Sequence, residues 1–233
     1  MSEIINPTQP ESTSSLPDGG LDIRGFKDKE NRLEGTEESD SISGGNLADI
    51  LSSMGGDDTI QGLDDDDTIF GGDGNDSLEG NIGDDSLESG LGQDTLIGGK
   101  GDDLLIAGNT LDILDGGAGR DLLIASGGGN VLTGGVDPDR FGLNIAQKTA
   151  EILDEITDYE VGEKIVIQTT TATNDIDYDP ETGILSVNDE EVLQLPIELE
   201  IDLGDIEFVI LQEEQENPTA DLVEFLNEIA NEV

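Results

Sequence analysis

Residues 71–79 read GGDGNDSLE, and the pattern returns as GGKGDDLLI at residues 98–106 and as GGAGRDLLI at residues 116–124. Its general form is GGxGxDxUx, in which U is a large apolar residue. Copies follow one another with a strict period of nine from Gly35 to Gly142, which gives twelve repeats without an insertion or a deletion. Such a period predicts a stacked repeat architecture, because one short unit cannot bury its own apolar side chain.

Two repeat positions carry the chemistry, the sixth with its carboxylate and the eighth with its apolar side chain. Both have the same parity in a strand, so both side chains are expected to point inward, while positions seven and nine point outward. The residues at position six are Asp40, Asp49, Asp58, Asp67, Asp76, Asp85, Asp94, Asp103, Asp112, Asp121, Asn130 and Asp139. Those at position eight are Ile42, Leu51, Ile60, Ile69, Leu78, Leu87, Leu96, Leu105, Leu114, Leu123, Leu132 and Phe141.

The chain is extremely acidic, with 9 basic and 56 acidic residues among 233 and a formal net charge of −47. Such a surface repels nucleic acid and anionic lipid headgroups, which makes both poor partners. High charge with only 3% aromatic residues usually indicates disorder. The unbroken register of carboxylates and apolar residues argues against an acidic linker, so we expect a folded array whose stability depends on a counter-ion.

Missing residue types narrow the function further. The chain has no Cys and no His, which excludes disulfides, thiolate nucleophiles, Cys/His zinc sites and triads that use imidazole. Residues 1–20 are polar and rich in Ser and Pro, without the apolar core of a secretory signal peptide. No apolar run is long enough for a membrane span.

Each repeat predicts a turn followed by a strand. Glycine tolerates positive φ, so GGxG is expected to form a tight turn whose carbonyls can face an ion. The DxUx half alternates as a short strand does. Two repeats then make an 18-residue coil with one strand on each side, and successive coils stack about 4.8 Å apart. Twelve repeats therefore predict six coils.

Stacking generates a predicted ion site, because Asp58 and Asp76 lie 18 residues, and hence one coil, apart on the same side. Two such carboxylates repel unless a cation lies between them. Turn carbonyls complete an all-oxygen cage, which suits Ca²⁺ better than Mg²⁺. Five gaps on each side set a ceiling of about ten ions, which would bring the charge to about −27. The predicted metal ligands are Asp49, Asp58, Asp67, Asp76, Asp85, Asp94, Asp103, Asp112, Asp121 and Asp139, with Gly71, Gly72, Gly74, Gly98, Gly99, Gly101, Gly116, Gly117 and Gly119 in the turns.

The three quoted repeats resemble the RTX (hemolysin-type) calcium-binding nonapeptides of proteins exported by type I secretion. The resemblance covers residues 35–142 and implies an all-β fold, a right-handed parallel β-roll of two sheets with Ca²⁺ between neighbouring coils. ITDY at residues 156–159 and GEKI at residues 162–165 are similar to the strand-turn-strand that closes such rolls. The resemblance also implies a secreted, extracellular protein with the type I secretion machinery as a partner.

Departures from the pattern divide the repeats into stronger and weaker candidates. Five repeats lack glycine at position four, so their turns are expected to depart from positive-φ geometry. Asn130 offers a neutral ligand in place of a carboxylate, and the terminal gaps are weaker candidates than the central ones. The five non-glycine residues are Glu38, Leu47, Asp65, Thr110 and Asp137. The favoured gaps join Asp58 to Asp76, Asp76 to Asp94, Asp85 to Asp103 and Asp103 to Asp121.

Composition divides the chain into four segments. Residues 1–25 are expected to be a flexible tail, and residues 26–142 the roll, with a faint first repeat that carries Asn31 and Leu33. Residues 143–211 predict a β-rich cap, and residues 212–233 an acidic linker with a short amphipathic helix, either a secretion signal or a capping helix. The strands predicted in the cap span residues 175–178, 184–187, 192–195 and 206–211.

Outward positions become apolar late in the array, where Leu104, Ile106, Leu122 and Ile124 form one block on adjacent coils. Contiguous apolar patches of this kind are usually covered. Either residues 143–211 of the same chain or a partner would supply the cover.

These observations favour a secreted calcium-binding protein, not an enzyme, whose roll folds on meeting Ca²⁺. An alternative is a structural, adhesive or polysaccharide-binding accessory module of the cell surface, in which Ca²⁺ bridges to extracellular polysaccharide. A small enzyme is less favoured, because the chain lacks His and a GxSxG motif and leaves about 90 residues beyond the roll.

Overall fold

A computed structural model of the chain describes residues 10–17, 19–108, 111–144, 153–160, 163–169, 176–187, 190–196 and 206–210. These residues form strands joined by short turns, and the strands make two sheets. The strands are β1 Ser12–Ser15, β2 Leu21–Arg24, β3 Arg32–Glu34, β4 Ser41–Gly45, β5 Ile50–Gly55, β6 Thr59–Asp64, β7 Thr68–Asp73, β8 Ser77–Ile82, β9 Ser86–Leu91, β10 Thr95–Lys100, β11 Leu104–Ile106, β12 Ile113–Ala118, β13 Leu122–Ser126, β14 Val131–Val136, β15 Arg140–Asn144, β16 Asp154–Ile156, β17 Lys164–Thr169, β18 Ile176–Asp179, β19 Ile184–Val187, β20 Glu190–Gln194 and β21 Ile206–Ile210.

The chain alternates between the two sheets. The first sheet has the order β1-β2-β4-β6-β8-β10-β12-β14-β16-β20-β19-β18, and the second has the order β21-β17-β15-β13-β11-β9-β7-β5-β3. Neighbours within the array are parallel, and their register advances by 18 residues, as in the pairs Thr59–Ser77 and Leu105–Leu123. The predicted parallel β-roll is therefore confirmed, with six coils from β4 to β15 and further coils at both ends.

The strands lie later in the repeat than predicted. β8 and β10 run from position seven of one repeat to position three of the next, and the turns occupy positions four to six. The reason lies in the glycine pair at positions one and two, which does not turn the chain. Gly99 still pairs with Gly117 in the sheet, so only the second half of GGxGxD reverses direction.

The core is a single column of apolar side chains between the two sheets. Every position-eight side chain from Ile42 to Phe141 is buried, with exposures of 0–1%. Because apolar burial contributes roughly 25 cal/mol per Å², these stacked side chains supply the main sequence-encoded stabilisation of the roll. Position six also points inward, as predicted, and this parity places a carboxylate beside the core in nearly every repeat.

The roll begins earlier than the predicted boundary at residue 26. β2 pairs in parallel with β4 and buries Ile23, while β1 pairs with β2 in the antiparallel direction. Residues 12–15 and 21–24 thus extend the first sheet, in place of the flexible tail expected there. The faint repeat is also a coil, since Leu33 of β3 is buried and pairs with Leu51.

The roll also continues beyond Gly142 after a six-residue insertion. β16 pairs with β14, and β17 pairs with β15, at a spacing of 24 residues instead of 18. β18, β19 and β20 then close the first sheet as an antiparallel meander, and β19 coincides with a predicted strand. β21 extends the second sheet. The predicted terminal helix lies outside the described residues, and none of the described residues forms a helix suited to crossing a membrane.

The outward apolar block is partly buried within the chain itself. Ile124 and Val166 are buried on the outer face of the second sheet, and Leu104, Ile106 and Leu122, which pack against them, remain partly exposed. Packing within the chain therefore buries only Ile124 of the four-residue block. Ile113, on the outer face of the first sheet, stays half exposed.

Candidate metal centre

The position-six side chains form two buried ladders, one at each edge of the roll. Each of the twelve is at most 3% exposed to solvent, although eleven of them are carboxylates. The first ladder consists of the position-six side chains that precede strands of the first sheet, and the second ladder consists of those that precede strands of the second sheet. The first ladder contains Asp40, Asp58, Asp76, Asp94, Asp112 and Asn130, and the second contains Asp49, Asp67, Asp85, Asp103, Asp121 and Asp139.

Asp76 shows how one rung is built. Its Oδ1 accepts a hydrogen bond from the backbone N–H of Asp58 at 2.9 Å, so the carboxylate ties its own coil to the preceding one. Its Oδ2 is buried and has no hydrogen-bond partner. A buried carboxylate oxygen without a partner raises the free energy of the folded state, because burial removes its hydrating water and no protein group donates a hydrogen bond to it. The same unpartnered Oδ2 occurs in Asp58, Asp67, Asp76, Asp85, Asp94, Asp103, Asp121 and Asp139.

Burial raises the pKa of eight ladder carboxyl groups, since it disfavours the charged form. They are Asp49, Asp58, Asp67, Asp76, Asp85, Asp103, Asp121 and Asp139. The pKa rises to about 8 in Asp67 and Asp103, where neighbouring ladder carboxylates contribute to the shift. It rises to about 7 in Asp76 and to about 6 in Asp85 and Asp121. Burial therefore disfavours ionised carboxylates in the ladders near neutral pH, and a bound cation would favour their charged form.

The surroundings of Oδ2 fit a hard cation. A Cβ placed on Gly98 would come within 2.7 Å of the Gly116 carbonyl oxygen and would overlap Asp103 Oδ2. A Cβ on Gly71 would likewise lie 2.6 Å from Asp76 Oδ2 and against the carbonyl oxygen of the next coil. Carboxylate and carbonyl oxygens thus converge beside the glycine of position one. An all-oxygen donor set of this kind matches the ligand preference of Ca²⁺.

Backbone oxygens are essential to such a site. Among the described residues, no group of three or more His, Cys, Asp or Glu side chains is placed to hold a metal ion. One or two carboxylates at each rung fall short of the six to eight ligands that Ca²⁺ takes. The remaining ligands would therefore come from turn carbonyls, as the sequence pattern predicts.

The turns bring neighbouring coils close together, so that the backbone carbonyls of one coil lie near those of the next. Gly74 and Gly101 at position four have φ of +140° and +130°, a backbone region that L side chains rarely adopt. Asp65 and Asp137 also keep positive φ at this position, so the expectation that they would depart from it is wrong. They keep it because Asp tolerates the left-handed region. Glu38 and Leu47 do depart from it, and Thr110 lies outside the described residues.

Replacing Gly101 by alanine should destabilise the roll strongly. The new Cβ would overlap the carbonyl oxygen of Gly83 in the preceding coil, and it would strain a residue with positive φ. The strain alone costs about 1–3 kcal/mol. The matched control is Lys100→Ala, an exposed neighbour in the same coil, which should change stability by less than about 0.5 kcal/mol. Equal melting temperatures for the two variants in calcium would contradict this packing.

Rungs near the ends of the ladders lack the unpartnered oxygen. Asp49 accepts hydrogen bonds at Oδ1 from Asn31 and at Oδ2 from the backbone N–H of Gly45. Asp40 is satisfied in the same way by the N–H groups of Leu21 and Thr36. Asp49 was among the predicted ligands, and the structure places it in the ladder with hydrogen bonds to both of its carboxylate oxygens.

The ladders continue into residues that the sequence pattern did not assign. Asn130 N–H donates to Asp154 Oδ1 at 2.9 Å, and Asp139 N–H donates to Glu163 Oε1 at 3.2 Å. Asp154 and Glu163 are both buried. A signal for them exists in the sequence, because they lie nine residues apart and each is followed two residues later by isoleucine. Glu163 ends its ladder, since its Oε2 accepts a hydrogen bond from Glu160 N–H.

A second, exposed series of side chains runs outside the second ladder at position five. Asp66 Oδ1 accepts from Asp84 N–H, Asp84 Oδ1 accepts from Asp102 N–H, and Asp102 binds Arg120. These carboxylates are solvated and hydrogen-bonded, so they hold the turns in register without the unsatisfied charge of position six.

A family of known repeats matches the part of the chain that carries the ladders. Residues 28–60, 43–78, 53–87, 79–110 and 106–141 match the family model described as RTX calcium-binding nonapeptide repeat (4 copies). No curated protein sequence matches the chain. Among solved structures, the extracellular lipase LipA from Serratia marcescens matches with 17% sequence identity and a TM-score of 0.23, over 80% of this chain and 41% of the lipase chain. The chain thus spans less than half of that lipase.

Proposed function

Because its repeats place this chain in the RTX (hemolysin-type) calcium-binding family, we propose that it is a secreted, non-enzymatic protein whose roll folds as Ca²⁺ enters the ladders. RTX nonapeptide repeats bind Ca²⁺, and Ca²⁺ is the cofactor of this β-roll. The observation that carries the proposal is the set of eight buried Oδ2 atoms without a partner, in Asp58, Asp67, Asp76, Asp85, Asp94, Asp103, Asp121 and Asp139.

Each residue type has a distinct part in binding. The position-six carboxylates supply charge, and their Oδ1 atoms stay engaged with the preceding coil through backbone N–H groups. The position-one glycines let Oδ2 and a carbonyl oxygen of the next coil approach the backbone closely, because a Cβ there would overlap both. The bound ion supplies the positive charge that these oxygens lack, and its binding free energy becomes folding free energy because the unfolded chain has no such cage.

The same energetics support secretion. With little calcium, the ionised ladders repel and oppose the stacking of coils, which favours an extended chain. With abundant extracellular calcium, ion binding favours the compact roll, and a folded roll cannot slip back through a narrow export channel. Export through type I machinery would be tested by expressing the chain with and without such an exporter and measuring its appearance in the medium.

Circular dichroism in a calcium titration tests the folding proposal. In chelator the chain should give a spectrum dominated by coil, and millimolar Ca²⁺ should convert it to a β-rich spectrum that reverts on chelation. Mg²⁺ at the same concentration should produce a much smaller change, because it binds reluctantly to cages built for six to eight oxygens. A β-rich spectrum that persists unchanged in chelator at pH 8 would overturn the proposal.

A further inference from the structure

The two sheets end at different levels at the amino-terminal end of the roll. The first sheet carries β1 as an additional strand beyond β2. The second sheet ends at β3, which pairs with β5 on one side and has no other neighbour among the described strands. The second sheet is therefore one strand short of the first at this end.

The backbone of β3 is bonded to β5 only at alternate residues. The Asn31 carbonyl oxygen accepts a hydrogen bond from the N–H of Ile50 at 2.9 Å, and the N–H of Gly35 donates to a carbonyl oxygen of β5 at 2.8 Å. Successive residues of a strand direct their N–H and C=O groups to opposite sides. Those of Arg32 and Glu34 therefore point away from β5, and we call them the open edge of β3. Such an edge pairs readily with a further strand.

An apolar cleft lies beside this open edge, between the last strands of the two sheets. Its volume is about 220 Å³, which exceeds the roughly 150 Å³ of a cavity that holds benzene. Leu21, Ile23 and Leu33 line it, and these side chains are the last of the core column. Arg32 and Glu34 lie at its border. The cleft thus has the size and the lining to accept one large apolar side chain.

Residues 1–9 join the described chain at this cleft, because Pro10 lines it. The N–H of Glu11 donates to the Arg24 carbonyl oxygen at 2.6 Å. β2 ends at Arg24 and β3 begins at Arg32 after a single turn, so Pro10 lies near the start of β3. The three residues 7–9 can extend over about 10 Å, which matches the distance between two packed sheets. Residues 3–6 can therefore reach the open edge.

The sequence of this segment suits a short strand. Residues 3–6 read EIIN, with Ile4 and Ile5 between two polar residues. Isoleucine is enriched in strands, and neighbouring strand residues point to opposite faces. One of the two isoleucines would therefore face the cleft, and the other would lie on the outer face.

A second copy of the chain is a poorer occupant of the same edge. A six-residue strand is about 20 Å long and packed sheets lie about 10 Å apart, so the end of the roll presents roughly 200 Å². A stable dimer buries about 800 Å² on each partner. A tethered segment does not need such an area, because a short link gives it an effective concentration in the millimolar range.

We propose that residues 3–6 pair with the open edge of β3 and place one isoleucine in the cleft, which caps the amino-terminal end of the roll. The added strand bonds the free backbone groups of Arg32 and Glu34. The isoleucine covers the end of the core column, and the paired edge is closed to other chains. The cap uses no ion, so it goes beyond the proposed function.

Amide hydrogen exchange measured by NMR on the full chain in calcium tests the cap. In the variant Ile4→Ser, Ile5→Ser the amides of Arg32 and Glu34 should exchange at least about tenfold faster than in the wild type, because their partner strand is lost. The amide of Gly35, which is bonded to β5, should keep its wild-type rate. The matched control Thr8→Ala, Gln9→Ala should leave all three rates unchanged.

Single variants test the strand geometry of the cap. Only one of Ile4→Ser and Ile5→Ser should reproduce the faster exchange, because only one of the two side chains faces the cleft. Equal exchange of Arg32 and Glu34 in the wild type and in the double variant would overturn the inference. Protection that rises with protein concentration, with a doubled mass in sedimentation, would assign the edge to a second copy and would also overturn it. Circular dichroism of each sample in calcium and in chelator reports on the proposed function separately.

Discussion

The triple variant Asp67→Asn, Asp85→Asn, Asp103→Asn should be more stable than the wild type without calcium and should respond less to calcium. Each of these carboxyl groups has a pKa more than one unit above its usual 3.8 because of burial. Each ionised rung therefore costs upwards of about 1.4 kcal/mol in the calcium-free fold. Asparagine has nearly the same shape, carries no charge and keeps the oxygen that ties the coils together.

The chain itself shows that asparagine fits a rung. Asn130 accepts the hydrogen bond from Asp112 N–H at its Oδ1, and its Nδ2 donates to the Ser126 carbonyl oxygen at 3.1 Å. In the variant, the Nδ2 of each new asparagine can therefore donate a hydrogen bond at the place where the aspartate Oδ2 has no partner. Removing three carboxylates also removes ligands, so the number of bound ions should fall.

The matched control is Asp66→Asn, Asp84→Asn, Asp102→Asn, which removes the same three charges one residue earlier. These side chains are exposed and outside the ladder, so the control should keep the wild-type stoichiometry and the wild-type calcium response. Thermal melts in chelator and in calcium, followed by circular dichroism, measure both effects. If the control and ladder variants behaved alike, the response would reflect total charge and the ladder account would fail.

Acid should replace calcium as the stabiliser of the roll. Six ladder groups, Asp67, Asp76, Asp85, Asp103, Asp121 and Asp139, have folded-state pKa values of about 6 to 8, against an unfolded value of about 3.8. The folded chain therefore binds protons more tightly than the unfolded chain does. This contribution to stability is fully present below pH 3.8 and is lost as the pH rises through 6 to 8. In chelator, stability should thus rise steeply as the pH falls from about 8 to about 4.

Calcium should reverse this dependence, since protons and Ca²⁺ compete for the same oxygens. Calcium affinity should fall as the pH drops from 8 to 5, and the two stability curves should converge in acid. Chemical denaturation at each pH, in chelator and in calcium, measures both curves. The Asp67, Asp85, Asp103 triple asparagine variant should flatten the chelator curve. A stability in chelator that declines between pH 8 and pH 5 would contradict the buried, unpaired state of these groups.

Most of the fold was predictable because the repeat fixes two quantities at once. The period of nine gives the coil length, and the parity of positions six and eight places both side chains inside. Leu78 and Asp76 therefore appear where the sequence pattern expects them, both buried. The turn lies at positions four to six and not at positions one to four as predicted, because the glycines at positions one and two remain in the strand.

The ends of the ladders were harder to predict, because their chemistry depends on residues outside the period. Asp49 fits the repeat as well as Asp67 does, yet Asn31 and Gly45 satisfy its oxygens. Glu163 joins a ladder only because an insertion after the last regular repeat is looped out of the register. Hydrogen-bond partners of this kind depend on the three-dimensional fold and do not appear as a periodic pattern in the sequence.

Anomalous X-ray scattering from crystals of the calcium-loaded chain tests the central claim most directly. The account predicts anomalous peaks along both edges of the roll, each within about 2.3–2.6 Å of a position-six Oδ2, the distance typical of Ca²⁺–oxygen bonds. Peaks should occur at the rungs between Asp58 and Asp139 and be missing beside Asp40 and Asp49. Peaks confined to the exposed carboxylates of Asp66, Asp84 and Asp102, with none beside the buried Oδ2 atoms, would contradict it.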